Sequence, residues 1–209
     1  ISYEEVLEMA STGAKVLHPR SVEMAEKFKV PLVVRSSYNY NEGTIIKEDV
    51  IMEKVLVRGV SLDENIAKIS IFEVPDQPGI AFRLFSALTK SNIHVDMIVQ
   101  NAAKNGLTDF SFTVSRNDLD KAMKVLEKEV TPYLGEEGIL TDASIAKISC
   151  VGIGMRSHAG VAAKMFRILA EENINIKMIS TSEIRTSIVV DEKYMELATR
   201  VLHKAFELA

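Results

Sequence analysis

Ile66-Ala67-Lys68-Ile69-Ser70 recurs letter for letter as Ile145-Ala146-Lys147-Ile148-Ser149. The residues after each pentapeptide repeat as well. The helical spacing of Ile80, Ala81, Leu84, Phe85 and Leu88 is repeated by Val161, Ala162, Met165, Phe166 and Leu169. Asn92-Ile93-His94-Val95 is answered by Asn173-Ile174-Asn175-Ile176, and the alternation Phe110, Phe112, Val114 by Thr186, Ile188, Val190. A closing helix carries Leu119, Ala122, Val125 and Leu126 in one copy and Met195, Ala198, Val201 and Leu202 in the other. A register kept across so many elements is an internal duplication. Each copy reads strand–helix–strand–strand–helix. Copy one adds a strand near Gly138 to Asp142, whereas copy two runs out at Ala209 soon after its second helix. A split βαβ unit needs that strand to complete a four-stranded antiparallel sheet. The spare strand Val55 to Leu62, irregular at Gly59, is available for it. The sequence therefore predicts an α+β chain of two ferredoxin-like βαββαβ units, copy one inserted in copy two. Residues 66–143 form the first unit, and residues 51–65 with 144–209 form the second.

Between strand and helix of copy one lies Pro75-Asp76-Gln77-Pro78-Gly79-Ile80. Pro and Gly force a tight turn, and the free N–H groups of the helix start face whatever sits beside it. Such a helix start attracts a carboxylate. Asp76 sets a negative charge alongside, suited to an ammonium group. Together they form a socket for an amino acid zwitterion; the plainer reading is an ordinary strand-to-helix turn, and its occurrence within a duplicated unit favours the functional one.

Ahead of the repeat, Ser2 and Glu5 form a capping box for a helix over residues 2–11. A second helix starts at Pro19 or Arg20 and runs to about Lys29. Pro31 to Arg35 reads as a short buried strand, and Ser36 to Gly43 as a polar, turn-rich linker. Residues 1–50 are set apart from the repeat. The chain opens on Ile1 in a helical pattern, which makes a piece of something longer the expectation.

Hydrophobic content of 47% and charge content of 26% are those of a soluble globular protein. A net charge of −4 argues against nucleic-acid and membrane-surface partners. With no signal peptide and no apolar run of about 18 residues, the cytoplasm is the expected compartment. Cys150, the only cysteine, sits in the apolar run Ile148 to Ile153 and reads as buried and inert. His18, His94, His158 and His203 are scattered, so no metal site is expected. Gly152-Ile153-Gly154 lacks the third glycine of a dinucleotide loop and reads as strand-end turn chemistry. Phe110 and Phe112 are placed as an RNA-binding βαββαβ sheet would place its stacking rings, but copy two has Thr186 and Ile188 there, and core packing explains them better. No catalytic constellation is present.

Paired βαββαβ units with this kind of helix start resemble ACT domains, small regulatory modules that bind amino acids. Ser2-Tyr3-Glu4-Glu5 and Gly13-Ala14-Lys15-Val16-Leu17-His18-Pro19-Arg20-Ser21 resemble the closing segment of the catalytic domain of aspartate kinases. Val34-Arg35-Ser36-Ser37-Tyr38 with Gly43-Thr44 is similar to the end of that domain, and Ile179-Ser180-Thr181-Ser182-Glu183-Ile184 to the family's second-ACT strand. Met52 begins a stretch similar to the start of the small regulatory subunit that some aspartate kinases make. The resemblance implies the regulatory part of such an enzyme, as a truncated chain or as a separate subunit. Catalytic residues, ATP and Mg²⁺ are then expected in a kinase domain or partner subunit, and this chain alone should be inactive. A homodimer is expected, with pairing of the units within or between chains left open. The alternative is an ACT-type sensor attached to another enzyme or regulator.

The resemblance also implies two effector sites, for lysine, threonine or both. Site one would combine Asp76, Gly79, Ile80, Ala81 and Gln100 with Asn175 and Ile176, the ligand carboxylate taking N–H groups near Ile80 and Ala81. Site two would combine Met155, Ser157, His158, Gly160 and Val161 with Val95 and Asp96, and with Ser182 and Glu183 nearby. Copy two has Arg156 and Ser157 where copy one has its acid, so site two would draw negative charge from Asp96 or Glu183. The segment from Ser36 to Val50 is the expected route to the kinase.

Overall fold

The computed structural model describes residues 1–48, 56–101, 105–130, 138–156, 158 and 160–208. They fall into two compact units. One is Asn65–Ile145; the other joins Ile1–Glu64 to Ala146–Ala209. We call them the inserted and the enclosing unit.

The inserted unit carries β4 (Ile66–Pro75), α3 (Ile80–Lys90), β5 (Val95–Gln100), β6 (Leu107–Ser115), α4 (Leu119–Val130) and β7 (Ile139–Asp142). Its four strands lie in the order β5-β6-β4-β7, each neighbouring pair antiparallel. Alternation explains which side chains go inward. Ile69, Ile71, Phe110 and Phe112 pack with Leu84 and Leu88 of α3 and Leu126 of α4 in one apolar cluster. Phe110 and Phe112 are 1% and 0% exposed, so neither ring is available to a base. Phe85 meets Phe112 edge-on at 5.3 Å between centroids.

The enclosing unit repeats the plan with one strand borrowed from before the insertion. It holds β3 (Gly59–Asp63), β8 (Ile145–Val151), α5 (Val161–Glu171), β9 (Met178–Thr181), β10 (Arg185–Asp191) and α6 (Met195–Ala205). The sheet order is β3-β8-β10-β9. β3 pairs antiparallel with β8, Leu62 opposite Ile148, which supplies the fourth strand that copy two lacks. The strand begins at Gly59; Val57 is buried ahead of it, and Val55 lies outside the described residues. Ile148, Cys150, Met165, Leu169, Ile188 and Leu202 make the core. Burial pushes the Cys150 thiol up to about 12, so it carries no thiolate near neutral pH.

The N-terminal residues pack in this same unit. α1 (Tyr3–Ser11) starts with the expected capping box, Ser2 and Glu5 each accepting from the other's backbone N–H. α2 (Pro19–Lys27) ends before Lys29, with His18 as N-cap. β1 (Leu32–Val34) is not buried: Val33 is 51% exposed, because the strand pairs only with β2 (Thr44–Ile46) in a two-stranded ladder. Ser36 to Gly43 is thus the connection of one hairpin, not a separator between larger bodies. Asp49 and Val50, the end of the expected route to a kinase, lie outside the described residues.

Side chains of β3 alternate between the core and the opposite face. On that opposite face Thr12 Oγ1 lies 2.7 Å from Ser61 Oγ, and a Cβ on Gly59 would fall 2.3 Å from Met9 Sδ. α1 and the residue after it therefore rest on the side of the sheet away from α5 and α6.

Candidate functional site

The copy-one turn is built by its two flanking elements. β4 ends with Pro75 opposite Leu107, and the Asp76 N–H continues the ladder by donating to the Gly106 carbonyl at 2.8 Å. Gly79 is the N-cap of α3 with φ 93°, a conformation a glycine adopts without strain. No side chain caps this helix, so Asp76 is not its cap. The exposed carboxylate makes no hydrogen bond or ion pair among the described residues.

The donor set differs from the sequence expectation. The Ile80 N–H already donates to the Gln77 carbonyl at 3.2 Å, and the Arg83 N–H closes the first helical turn onto Gly79 at 3.0 Å. The N–H groups left without an intrahelical acceptor belong to Ala81 and Phe82. Gln100, exposed at the end of β5, pairs with Phe110, which pairs on its other side with Ile71. Gln100 and the Asp76 turn thus lie at the same end of one sheet. Asn175 and Ile176, the remaining site-one residues, belong to the enclosing unit and precede β9.

The copy-two turn is filled differently. Its helix α5 also starts behind a left-handed glycine, Gly160 with φ 109°. Before it, Ile153–Arg156 forms one 3-10 turn. His158 Nδ1 lies 3.1 Å from the Gly154 carbonyl, and Met155 Sδ accepts from Thr186 Oγ1 at 4.0 Å. Val161 is buried, Ser182 is exposed and donates its N–H to the Arg185 carbonyl, and Ser157 lies outside the described residues. Glu183 does not offer a spare charge: Arg156 Nε holds its carboxylate at 3.2 Å. Val95 and Asp96, the expected partners, start β5 in the inserted unit, where the ladder with β6 shifts register between Val95 and Ile98.

Gly152 owes its identity to packing, not to a nucleotide. Its N–H donates to the Ile184 carbonyl at 2.9 Å, and a Cβ there would fall 2.3 Å from the Leu56 carbonyl oxygen and 2.8 Å from Val57 Cα. Both obstacles are backbone. Gly152→Ala is expected to destabilise the enclosing unit by about 1–3 kcal/mol; a urea melt that coincides with the parent's would refute this.

Sequence reasoning placed α1 but not its contact with this turn. Glu5 Oε1 accepts the Ile153 N–H at 3.0 Å while its other oxygen takes the Ser2 N–H, and Glu4 Oε1 lies 2.5 Å from Arg156 Nη2. The capping box announced Glu5, but only as a local cap.

Comparison with known proteins places these features. Residues 73–130 and 148–206 each match the ACT domain family. The chain is 52% identical over 210 residues to the aspartate kinase of Pseudomonas putida, a match that takes in all of this chain and 51% of that protein. The chain spans about half the length of the curated relatives it matches. Among solved structures, that of aspartokinase alpha and beta subunits matches at 55% identity and a TM-score of 0.67, over 73% of this chain and 99% of the other. The ligand-free regulatory subunit of aspartate kinase from Thermus thermophilus matches at 40% identity and a TM-score of 0.68, over 72% and 99%.

Proposed function

The chain belongs to the aspartate kinase family, as its paired ACT regulatory region, and from that membership we propose that it binds lysine, threonine or both as a feedback sensor for the first step of aspartate-family amino acid synthesis. The observation that carries this reading is the copy-one turn. Two helix-start N–H groups, on Ala81 and Phe82, lack an intrahelical acceptor, and the same turn carries an exposed Asp76 carboxylate that caps nothing. The ligand carboxylate takes those N–H groups. Asp76 takes the ammonium, and Gln100 adds an amide. Asn175 and Ile176 are the remaining residues proposed for site one. Met155, Gly160 and Val161 form the copy-two counterpart.

Self-association fits the exposed edges. β5 and β9 end their sheets, and each shows an exposed isoleucine at the same repeat position, Ile98 and Ile179. We assign the chain a soluble, cytoplasmic setting; among the described residues no helix is long and apolar enough to cross a membrane. Phosphorylation of aspartate with ATP and Mg²⁺ belongs to a kinase domain or partner subunit. Among the described residues no three His, Cys, Asp or Glu side chains converge, so no step through the metal is assigned to them.

A ligand that binds only the folded state adds about 2.7 kcal/mol at a hundredfold excess over its dissociation constant. Lysine or threonine should therefore raise the melting temperature of the chain by several degrees, while most other amino acids should not. Equal curves with and without either amino acid at millimolar concentration would remove the sensor reading.

A further inference from the structure

The copy-two turn is held by a helix that lies outside both ACT matches. Glu4 and Glu8 stand one helical turn apart on α1, with Glu5 beside them, so all three carboxylates face one way. Each has a partner in the second repeat. Glu4 meets Arg156 at 2.5 Å, Glu5 takes the Ile153 N–H at 3.0 Å, and Glu8 Oε1 lies 2.6 Å from Arg185 Nη1. Through its Nε, Arg156 also holds Glu183 in the connection between β9 and β10. One guanidinium thus ties together α1, the turn and the end of the sheet.

Glu5 makes this more than surface charge pairing. Its side chain is 4% exposed, with Arg58 Nε 3.9 Å away. A carboxylate at that depth is tolerated only while its hydrogen bonds are made. Moving the Ile153 turn by a hydrogen-bond length would leave it short of a donor. These contacts therefore hold the turn in one closed setting and make its displacement costly.

We propose that α1 and the turn Ile153–Arg156 form a clamp that reports the ligand state of the second repeat to the part of the chain outside the ACT matches. The inference rests on the chain's being an amino acid sensor. An amino acid carboxylate entering beside the turn competes with Glu4 and Glu183 for Arg156 and opens the clamp. By linkage, opening the clamp from the α1 side changes ligand affinity by the same factor.

Hydrogen exchange on the 209-residue chain tests this, read at the Val6 to Thr12 amides with melting temperature measured in parallel. Without ligand, Arg156→Gln should speed exchange there about two- to fivefold, the loss expected for half-exposed ion pairs. Glu4→Gln should act in the same direction, by less, because Arg156 keeps its pair with Glu183. With saturating lysine or threonine the parent chain should show faster exchange at the same amides. A ligand that raises the melting temperature but leaves α1 exchange unchanged would overturn the clamp and spare the sensor reading. No melting shift with either amino acid would end the sensor reading and the clamp's reporting role with it. Unchanged α1 exchange in both Arg156→Gln and Glu4→Gln would show that these contacts hold nothing, whatever the ligand does.

Discussion

Replacing Phe112 with Ala is expected to cost the inserted unit about 3–5 kcal/mol, the range for emptying a buried aromatic site. The ring has no exposed surface and sits in the middle of β6, opposite Ile69 on one side and Ile98 on the other. Its edge contact with Phe85 adds about 0.5–1.5 kcal/mol beyond the area buried. A domain stable by only about 5–15 kcal/mol gives up a large part of its margin in that one change. Urea unfolding followed by a probe in the inserted unit should show the midpoint fall with the slope unchanged. Phe82→Ala is the control: that ring is 76% exposed, and its loss should stay within about 0.5 kcal/mol. Equal, small effects from the two substitutions would mean that Phe112 is not a core residue and would reopen the base-stacking alternative.

Both repeats were legible in the sequence because strand alternation and helix periodicity survive divergence: Phe112 and Ile188 differ in type but share a position and full burial. The borrowed strand was legible by counting, since copy two lacked the partner that β3 supplies through Leu62 and Ile148. What the letters could not show is environment. Lys68 and Lys147 sit in identical pentapeptides, yet Lys68 is half-buried while Lys147 is 3% exposed beside Asp63. Every position of β8 is buried, whereas β4 is less buried at Lys68, Phe72, Glu73 and Pro75. Local signals also stop at local partners. The capping box marks where α1 begins, but Glu5's second oxygen reaches a residue 148 positions away. Turn residues marked Ser36 to Gly43 as a loop without saying that both ends return to one hairpin. In the copy-one turn the helix start was legible, and the Gln77 carbonyl that claims the Ile80 N–H was not. That is why the N–H groups left open at the helix start lie one residue along, on Ala81 and Phe82.

Asp76→Asn should lower affinity for the amino acid effector by roughly one to two decades, as expected for a charge-assisted hydrogen bond worth about 1.5–3 kcal/mol. The substitution keeps the shape, removes the charge and turns one acceptor oxygen into an amide donor. Nothing in the fold depends on that charge. Gly79 caps α3 without a side-chain bond, the Asp76 N–H bond to Gly106 is backbone and survives, and the carboxylate is exposed. Melting temperature without ligand should therefore match the parent's. A change confined to the ligated state isolates recognition from stability, since a structural acid would move both. Raising the salt concentration should narrow the gap between parent and variant, because an exposed charge is screened over about 10 Å at 0.1 M. Calorimetric titration of the two proteins with lysine and with threonine decides the matter. Matching dissociation constants for both ligands would take the ammonium away from Asp76 and assign it to backbone carbonyls of the turn, with the carboxylate left as a solvated surface group.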